Sequence, residues 1–238
     1  MTSISATPAA SIAALGGAFL LLVACLTVWR HRWQPEQERV RKGLHMGSGL
    51  LTLPFPYVFV DCWPVVLLCG MAGMVLIGMR WMPVIRRVIG RGPADVDRFT
   101  LGELYFPVAV ALVFWLAQGR HHLYFVIPML VLTCADTAAA LVGSRFGRHR
   151  YRCGGKSLEG SAAFAATAFV CVHGPVWLWA PVSREASFLL AGTVSLALTL
   201  LEAAAWRGLD NLFIPLGAYV LLSALVPLDV TASSGGWR

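Results

Sequence analysis

Long apolar stretches alternate with short polar segments along the whole chain. Eight stretches come close to the length that a helix needs to cross a lipid bilayer, about 20 residues. They lie at 8–29, 44–60, 63–80, 103–118, 123–143, 161–180, 187–206 and 211–228. This pattern predicts an all-α bundle of about eight transmembrane helices, which forms a single membrane domain over residues 1–238.

Lys and Arg residues concentrate on one side of this predicted bundle. The connections 30–43, 80–102, 144–160 and 207–210 hold sixteen of the nineteen basic residues. Because positive charge favours the cytoplasmic side, these connections are predicted to lie inside and the N-terminus outside. The first stretch has basic residues only after it, which predicts a retained anchor helix at 8–29 and no cleaved signal peptide.

The sequence also predicts the local structure of two segments outside the spans. The connection 80–102 contains WMPVIRRVIGRG, where Met82, Ile85 and Ile89 lie at helical spacing and Arg80, Arg87 and Arg91 lie along another face. This pattern is typical of an amphipathic helix lying in the membrane interface. Residues 229–238 are predicted to form a frayed tail.

The composition supports a membrane protein and excludes several other classes. Hydrophobic residues make up 58% of the chain and charged residues 13%, which is more apolar surface than a soluble domain of this length could bury. The net charge of +7 is explained by the basic cytoplasmic connections, so no nucleic-acid partner is predicted. The six Cys residues show no CxxC spacing, which excludes a zinc site or disulfide framework of the usual pattern.

Most of the remaining polar residues lie at the predicted cytoplasmic ends of the spans. An ionisable residue within or beside a span is costly and is by default a functional candidate. Because these residues share one side of the membrane, we expect them to meet in one site. They are His45, Glu103, Asp136, Glu159, Ser161, Glu202, Asp210 and Asn211.

Asp136 is the acid that lies furthest inside an apolar stretch. Ala140 and Gly143 follow it on the same helix face, and small residues permit close approach there. A carboxylate in this position suits Mg²⁺, which takes one or two carboxylates together with substrate phosphates. The alternative is an ion pair that holds two helices together.

The segment GSRFGRHRYRCGGKSLEGS follows Asp136 and combines basic residues with glycines. Arg145, Arg148, Arg150, Arg152 and Lys156 have the charge to neutralise a triphosphate. Gly143, Gly147, Gly154 and Gly155 allow backbone amides to turn toward it, and Ser157, Glu159, Gly160 and Ser161 begin a helix whose N-terminus favours phosphate. A P-loop is excluded because its first glycine would fall on Arg150; a solvated basic loop is the alternative.

Two flanking segments add candidates. RKGLH places Arg41 and His45 on one helix face, next to Lys42, where they would bind phosphate or His45 would act as a general base. Near the end of the chain, Glu202, Asp210 and Asn211 offer oxygen atoms that would either ligate a metal or cap helix ends.

These segments together resemble the polyprenol kinase family, which includes phytol, farnesol and dolichol kinases. ADTAAALVGSRFG and GGKSLEGS resemble the family signature, and RKGLHMGSG and GLDNLFIPL resemble its flanking motifs in the same order. The resemblance covers residues 41–215, the predicted catalytic core. It implies an integral membrane enzyme that phosphorylates a long-chain isoprenoid alcohol, commonly with CTP. The family usually has glycine before the aspartate, where this chain has Ala135.

The resulting prediction is a membrane-embedded kinase with its active site on the cytoplasmic face, which in a bacterium would be that of the inner membrane. Its predicted partners are a nucleotide and a prenyl alcohol or other membrane lipid, and its oligomeric state is left open. Asp136, Lys156, His45 and Glu159 are the predicted catalytic residues, and Asp136, Glu202, Asp210 and Asn211 the predicted Mg²⁺ ligands. The predicted nucleotide-binding residues are Arg41, Lys42, Gly143, Arg145, Gly147, Arg148, Lys156, Ser157, Gly160 and Ser161.

Three other functions are alternatives to an isoprenoid alcohol kinase. One is a cytidylyltransferase resembling CDP-diacylglycerol synthase, which is disfavoured because GLDNLFIPL stands where that family has a lysine–aspartate pair and a histidine–glycine–glycine run. Another is diacylglycerol kinase activity in the same scaffold. A transporter or scaffold would place charges near the bilayer midplane and often shows inverted repeats, neither of which this sequence has.

Overall fold

The computed structural model describes residues 7–81, 102–151, 155–205 and 208–226. Within these ranges every extended regular element is a helix, which confirms the predicted all-α class. The helices are α1 (Pro8–Trp33), α2 (Gln37–Thr52), α3 (Phe55–Val58), α4 (Cys62–Trp81), α5 (Gly102–Ala117), α6 (Leu123–Phe146), α7 (Leu158–Trp179), α8 (Arg184–Ala204) and α9 (Asp210–Leu225). The interfacial helix predicted within 80–102 lies almost entirely outside the described residues, and the predicted tail at 229–238 lies wholly outside them.

Four of these helices are long and apolar enough to cross a membrane, namely α1, α6, α7 and α8. Helices α4, α5 and α9 are apolar but contribute shorter stretches. The count of about eight spans, the outside N-terminus and the division into anchor, core and tail therefore stay predictions. The stretch predicted as one span at 44–60 is divided, since α2 ends at Thr52 and Pro54, which has no N–H to continue the ladder, precedes the short α3.

Helix α6 lies at the centre of the molecule and α1 lies at its edge. Of the apolar stretch of α6, 67% is buried, against 6% of that of α1. Tyr124, Phe125 and Ile127 on α6 are almost completely inaccessible. Large apolar side chains such as Leu21 on α1 and Leu200 on α8 face outward instead, as expected where lipid is the solvent.

A turn of π-helix at Val131–Ala135 interrupts α6 directly before Asp136. Such single wide turns are frequent at functional sites. Gly49 on α2 packs against this turn so closely that a Cβ atom there would overlap the side chain of Thr133. The close contact brings the polar side chains of α2 next to the segment that carries Asp136.

Glycines bring α7 against the second half of α6. A Cβ atom on Gly160 would lie 2.9 Å from the carbonyl oxygen of Ala139 and 3.3 Å from the Cα atom of Gly143. Small residues at such a crossing let two membrane helices approach closely. The contact fixes the start of α7 beside the helix that carries Asp136.

Gly160→Ala is expected to lower the stability of the protein by about 1–3 kcal/mol, because the added methyl group meets backbone atoms and forces α6 and α7 apart. The measurement is the thermal unfolding midpoint in detergent. Gly192→Ala on α8 is the matched control, since a Cβ atom there has nothing within 4 Å. Equal midpoints for the two variants would show that the helices separate without cost.

Candidate active site

A polar cleft of about 490 Å³ lies where the ends of α2, α6, α7, α8 and α9 meet. It brings together residues that are up to about 170 positions apart in the sequence. The predicted site residues that line it are Arg41, Lys42, Asp136, Gly143, Lys156, Ser157, Gly160, Ser161, Glu202, Asp210 and Asn211. The cleft therefore gathers seven of the ten predicted nucleotide-binding residues and all four predicted metal ligands at one place.

An ion pair between Lys42 and Asp136 connects α2 to α6 at one wall of the cleft. The Lys42 ammonium lies 2.5 Å from Asp136 Oδ2 and donates a second, longer bond of 3.4 Å to the Asp136 carbonyl oxygen. Both side chains are less than a tenth exposed. The ion pair that the sequence analysis gave as the alternative role of Asp136 is therefore present in the structure. Its basic partner, Lys42, is a residue predicted to bind nucleotide.

His45 lies directly behind this ion pair and does not line the cleft. Its Nε2 atom is 3.0 Å from the carbonyl oxygen of Leu132 and 3.4 Å from Asp136 Oδ2. The ring also makes an edge contact with Phe106, with 5.2 Å between ring centroids. This position fits a residue that orients Asp136. The role of His45 as general base stays a prediction.

Lys156 makes the second group of ion pairs in the cleft. Its ammonium lies 2.8 Å from Glu202 Oε1, 2.5 Å from the Glu202 carbonyl oxygen and 3.2 Å from Asp210 Oδ2. Burial lowers the pKa of Lys156, but the carboxylates of Asp210 and Glu202 outweigh burial and raise it above its usual range. The side chain therefore stays charged at physiological pH and joins α8 to α9.

Ser161 and Asn211 complete this wall. The Ser161 hydroxyl donates to Glu202 Oε2 at 2.9 Å, so both oxygens of this carboxylate are occupied. Asn211 donates from its side-chain amide to the Gly102 carbonyl oxygen at 2.7 Å, which ties the start of α9 to the start of α5. The neighbouring acid predicted from the sequence, Glu103, has a side chain outside the described part of the chain.

The loop before α7 folds back on itself in the residues that are described. Tyr151 N–H donates to the Lys156 carbonyl oxygen, and Leu158 N–H to the His149 carbonyl oxygen, both at 2.9 Å. Gly155 adopts a φ of +69°, which favours glycine. Ser157 then caps α7 by accepting from the Gly160 N–H at 3.1 Å. The fold-back aims the side chain of Lys156 into the cleft.

Several predicted residues lie outside the cleft lining. Arg145 and Arg148 are exposed, and the guanidinium of Arg145 lies over the ring of Phe146. Glu159 accepts from His149 at 2.8 Å on the outer side of the loop. Gly147 is close to Ser157, where a Cβ atom would be 2.7 Å from the hydroxyl oxygen. Their roles in nucleotide binding or catalysis stay predictions.

Two acids that the sequence analysis did not select also line the cleft. Glu36 and Glu38 lie at the start of α2, and Glu38 holds the Arg41 guanidinium through two bonds of 2.5 and 2.9 Å. The spacing of three residues between Glu38 and Arg41 was the signal available in the sequence. With these acids, the described lining holds five carboxylates and four Lys or Arg side chains.

The acids of the cleft are the candidate ligands for the Mg²⁺ ion predicted from the sequence. Among the described residues, no three His, Cys, Asp or Glu side chains are grouped closely enough to hold a metal ion by themselves. Mg²⁺ usually needs only one or two carboxylates when substrate phosphates supply the other ligands. Glu202 and Asp210, which already share one cation, fit a metal ion that arrives with a nucleotide.

Comparison with known proteins agrees with the resemblance. A phytol kinase from Synechocystis sp. is 31% identical over 193 residues, which cover 77% of this chain and 78% of that enzyme. This chain belongs to the polyprenol kinase family. Another member of the polyprenol kinase family, the dolichol kinase of Schizosaccharomyces pombe, is 29% identical over 129 residues, or 52% of this chain and 25% of that enzyme.

No protein-family model and no solved structure matches this polyprenol kinase family member. Its apolar helices and its membrane-enzyme relatives identify it as an integral membrane protein. The placement of the cleft on the cytoplasmic face stays a prediction that rests on the distribution of basic residues.

Proposed function

We propose that this protein is an isoprenoid alcohol kinase, which transfers the γ-phosphoryl group of a nucleoside triphosphate to the hydroxyl group of a prenyl alcohol in the membrane. The observation that carries the proposal is the single cleft in which Asp136, Lys156, Glu202 and Asp210 converge at the ends of apolar helices. The names of the relatives, a phytol kinase and a dolichol kinase, support the substrate class. CTP is the proposed donor, on the strength of the family resemblance.

The cations of the cleft are the groups that would hold the triphosphate. Lys42, Lys156 and Arg41 each face the cleft, and each is paired with a carboxylate. Arg150, the fourth cation of the described lining, donates to the Gly155 carbonyl oxygen instead. A nucleotide that binds the three paired cations would leave their carboxylates without partners. Leaving a buried charge unpaired is costly, so binding requires a second cation to replace the first.

This exchange explains why a metal complex of the nucleotide is the proposed substrate. A bare triphosphate would add its negative charge to a cleft whose described lining already holds five carboxylates against four Lys or Arg side chains. Mg²⁺ held by Glu202 and Asp210, with Asp136 and Asn211 as further candidate ligands, would neutralise charge on the phosphates. The lysines would then be released to bind the phosphate oxygens.

The transfer itself forms a bond between the alcohol oxygen and the γ-phosphorus and breaks the bond from that phosphorus to the β,γ-bridging oxygen. Positioning and charge neutralisation dominate this chemistry, so the main task of the chain is to hold both substrates in line. The hydroxyl proton passes to an acid of the cleft. Asp136 is the proposed acceptor, with His45 as the positioning residue behind it.

The experiment that tests the proposal uses the purified protein in nanodiscs with γ-labelled or α-labelled CTP, ATP, GTP or UTP. Farnesol, geranylgeraniol, phytol and diacylglycerol serve as acceptors, with and without EDTA. We expect label from γ-labelled CTP on the prenyl alcohols, release of CDP in equal amount, and loss of both with EDTA. Label from α-labelled CTP on the lipid would instead establish a cytidylyltransferase, and label on diacylglycerol alone would change the acceptor class.

A further inference from the structure

A second cavity lies beside the polar cleft and differs from it in character. It is a groove of about 150 Å³ between α1, α2, α4 and α5, lined almost entirely by apolar side chains. Leu20 and Met71, at its rim, are 52% and 40% exposed, so the groove opens toward the lipid side of the bundle. The polar cleft, in contrast, opens among charged residues.

One face of α2 connects the two cavities. Lys42 lines the cleft and Ser48 and Thr52 line the groove, and His45 lies between them on the same helix. Ser48 follows His45 by three residues, a rise of about 4.5 Å. His45 touches the cleft residue Asp136 on one side and the groove residue Phe106 on the other. His45 therefore contacts residues of both cavities.

We infer that this groove binds the hydroxyl-bearing end of the isoprenoid alcohol, with the hydroxyl group pointing past His45 toward Asp136. The inference rests on the proposed function. The occupant needs an apolar body and one polar end, and the groove offers apolar walls and one polar end at Ser48. Thr52 uses its hydroxyl within α2, donating to the Gly49 carbonyl oxygen at 2.7 Å, whereas the described residues show no hydrogen bond from Ser48.

The size of the groove determines how much of the alcohol it holds. A dry apolar cavity of about 150 Å³ takes one benzene ring, so this groove has room for about one isoprene unit. The rest of the tail leaves between Leu20 and Met71 into the bilayer. The site should therefore recognise the unit next to the hydroxyl group and discriminate little between longer tails.

Two neighbouring glycines on α1 provide a matched test. Gly16 lines the groove, whereas a Cβ atom on Gly17 would have nothing within 4 Å. Gly16→Leu should fill the groove and lower kcat/KM for farnesol by about 10-fold to 100-fold, through KM for the alcohol, with KM for CTP unchanged. Gly17→Leu, which carries the same gain in helix propensity, should behave as the wild type. Ala72→Leu on α4 fills the groove from the opposite wall and tests the inference if Gly16→Leu does not fold.

A binding measurement separates this inference from the proposed activity. A farnesol analogue with a diazirine on its first isoprene unit should cross-link to α2 or α5 of the wild type, and Gly16→Leu and Ala72→Leu should abolish this labelling. Turnover with wild-type KM for farnesol in both filled variants, or cross-links only to outward-facing residues of the other helices, would show that bilayer lipid alone covers the groove. Absence of alcohol phosphorylation with intact groove labelling would refute the kinase proposal and leave the binding site standing.

Tail length gives an independent readout of the same inference. Geraniol, farnesol and geranylgeraniol share the unit next to the hydroxyl group, so their kcat/KM values should be similar when each is embedded in nanodiscs at equal mole fraction. Removing the methyl branch of the first unit should lower kcat/KM by about 10-fold or more. A steep dependence on tail length with no effect of the branch would overturn the assignment.

Discussion

Asp136→Asn is expected to lower kcat for phosphoryl transfer by about 10³-fold or more. The change removes the charge that the proposed mechanism uses to accept the hydroxyl proton or to hold a metal ion, and interactions of this type contribute several kcal/mol. It also leaves the buried Lys42 ammonium without its partner, which costs about 3–5 kcal/mol of stability. The measurements are initial rates with γ-labelled CTP and the thermal unfolding midpoint of the same sample.

The double variant Lys42→Met/Asp136→Asn separates these two effects. It replaces the ion pair by two neutral side chains of similar size, which removes the cost of an unpaired buried charge. The midpoint should therefore return toward the wild-type value while kcat remains low. Recovery of activity together with the midpoint would show that Asp136 serves only to hold α2 against α6.

The sequence predicted much of this arrangement because the constraints on it are local or depend on composition. The need for long apolar runs located the helices, and α6, α7, α8 and α9 begin and end within a few residues of the predicted spans. The break after α2 was also encoded, since Pro54 and Pro56 stand inside the stretch predicted as one span. The convergence of the acids followed from their shared position at one end of the spans.

The partners of these acids were beyond the reach of the sequence. Lys42 and Asp136 are 94 residues apart, and their contact depends on how α2 packs against the π-turn of α6. The contacts of Lys156 with Glu202 and Asp210 likewise depend on how α7, α8 and α9 pack together. The apolar groove is a space between four helices, so no residue pattern on a single helix reveals it.

Lys42 and Lys156, both predicted from the sequence to bind nucleotide, are paired with carboxylates in the structure. From the sequence, Lys42 and Lys156 are predicted to bind the phosphate groups of a nucleotide, and no ion-pair partner is assigned to either. The carboxylates that pair with them, Asp136, Glu202 and Asp210, are those that a metal ion would need as ligands. Under the proposed function, nucleotide and metal ion are therefore expected to bind together, since either alone would leave one sign of charge without a partner.

Lys156→Met is expected to lower kcat/KM for the nucleotide by about 10²-fold to 10³-fold, the usual effect of removing one preorganised charge from a reacting phosphate. It should also make stability depend on divalent cations. Lys156 is the cation that pairs with both Glu202 and Asp210 in the described part of the chain, so without its ammonium Mg²⁺ alone should raise the unfolding midpoint of the variant. The wild type, in which the ammonium holds this place, should respond only to Mg²⁺ and nucleotide together.

Arg184→Met is the control for this experiment, because it removes one positive charge from an exposed position at the start of α8, at the opposite end from Glu202. It should show neither the loss of kcat/KM nor the response to Mg²⁺. If Lys156→Met kept its affinity for nucleotide and unfolded at the same temperature with and without Mg²⁺, Lys156 would be a structural tie between α8 and α9. If only the Mg²⁺ response appeared, the carboxylates would be a cation site and the lysine would have no part in binding phosphate.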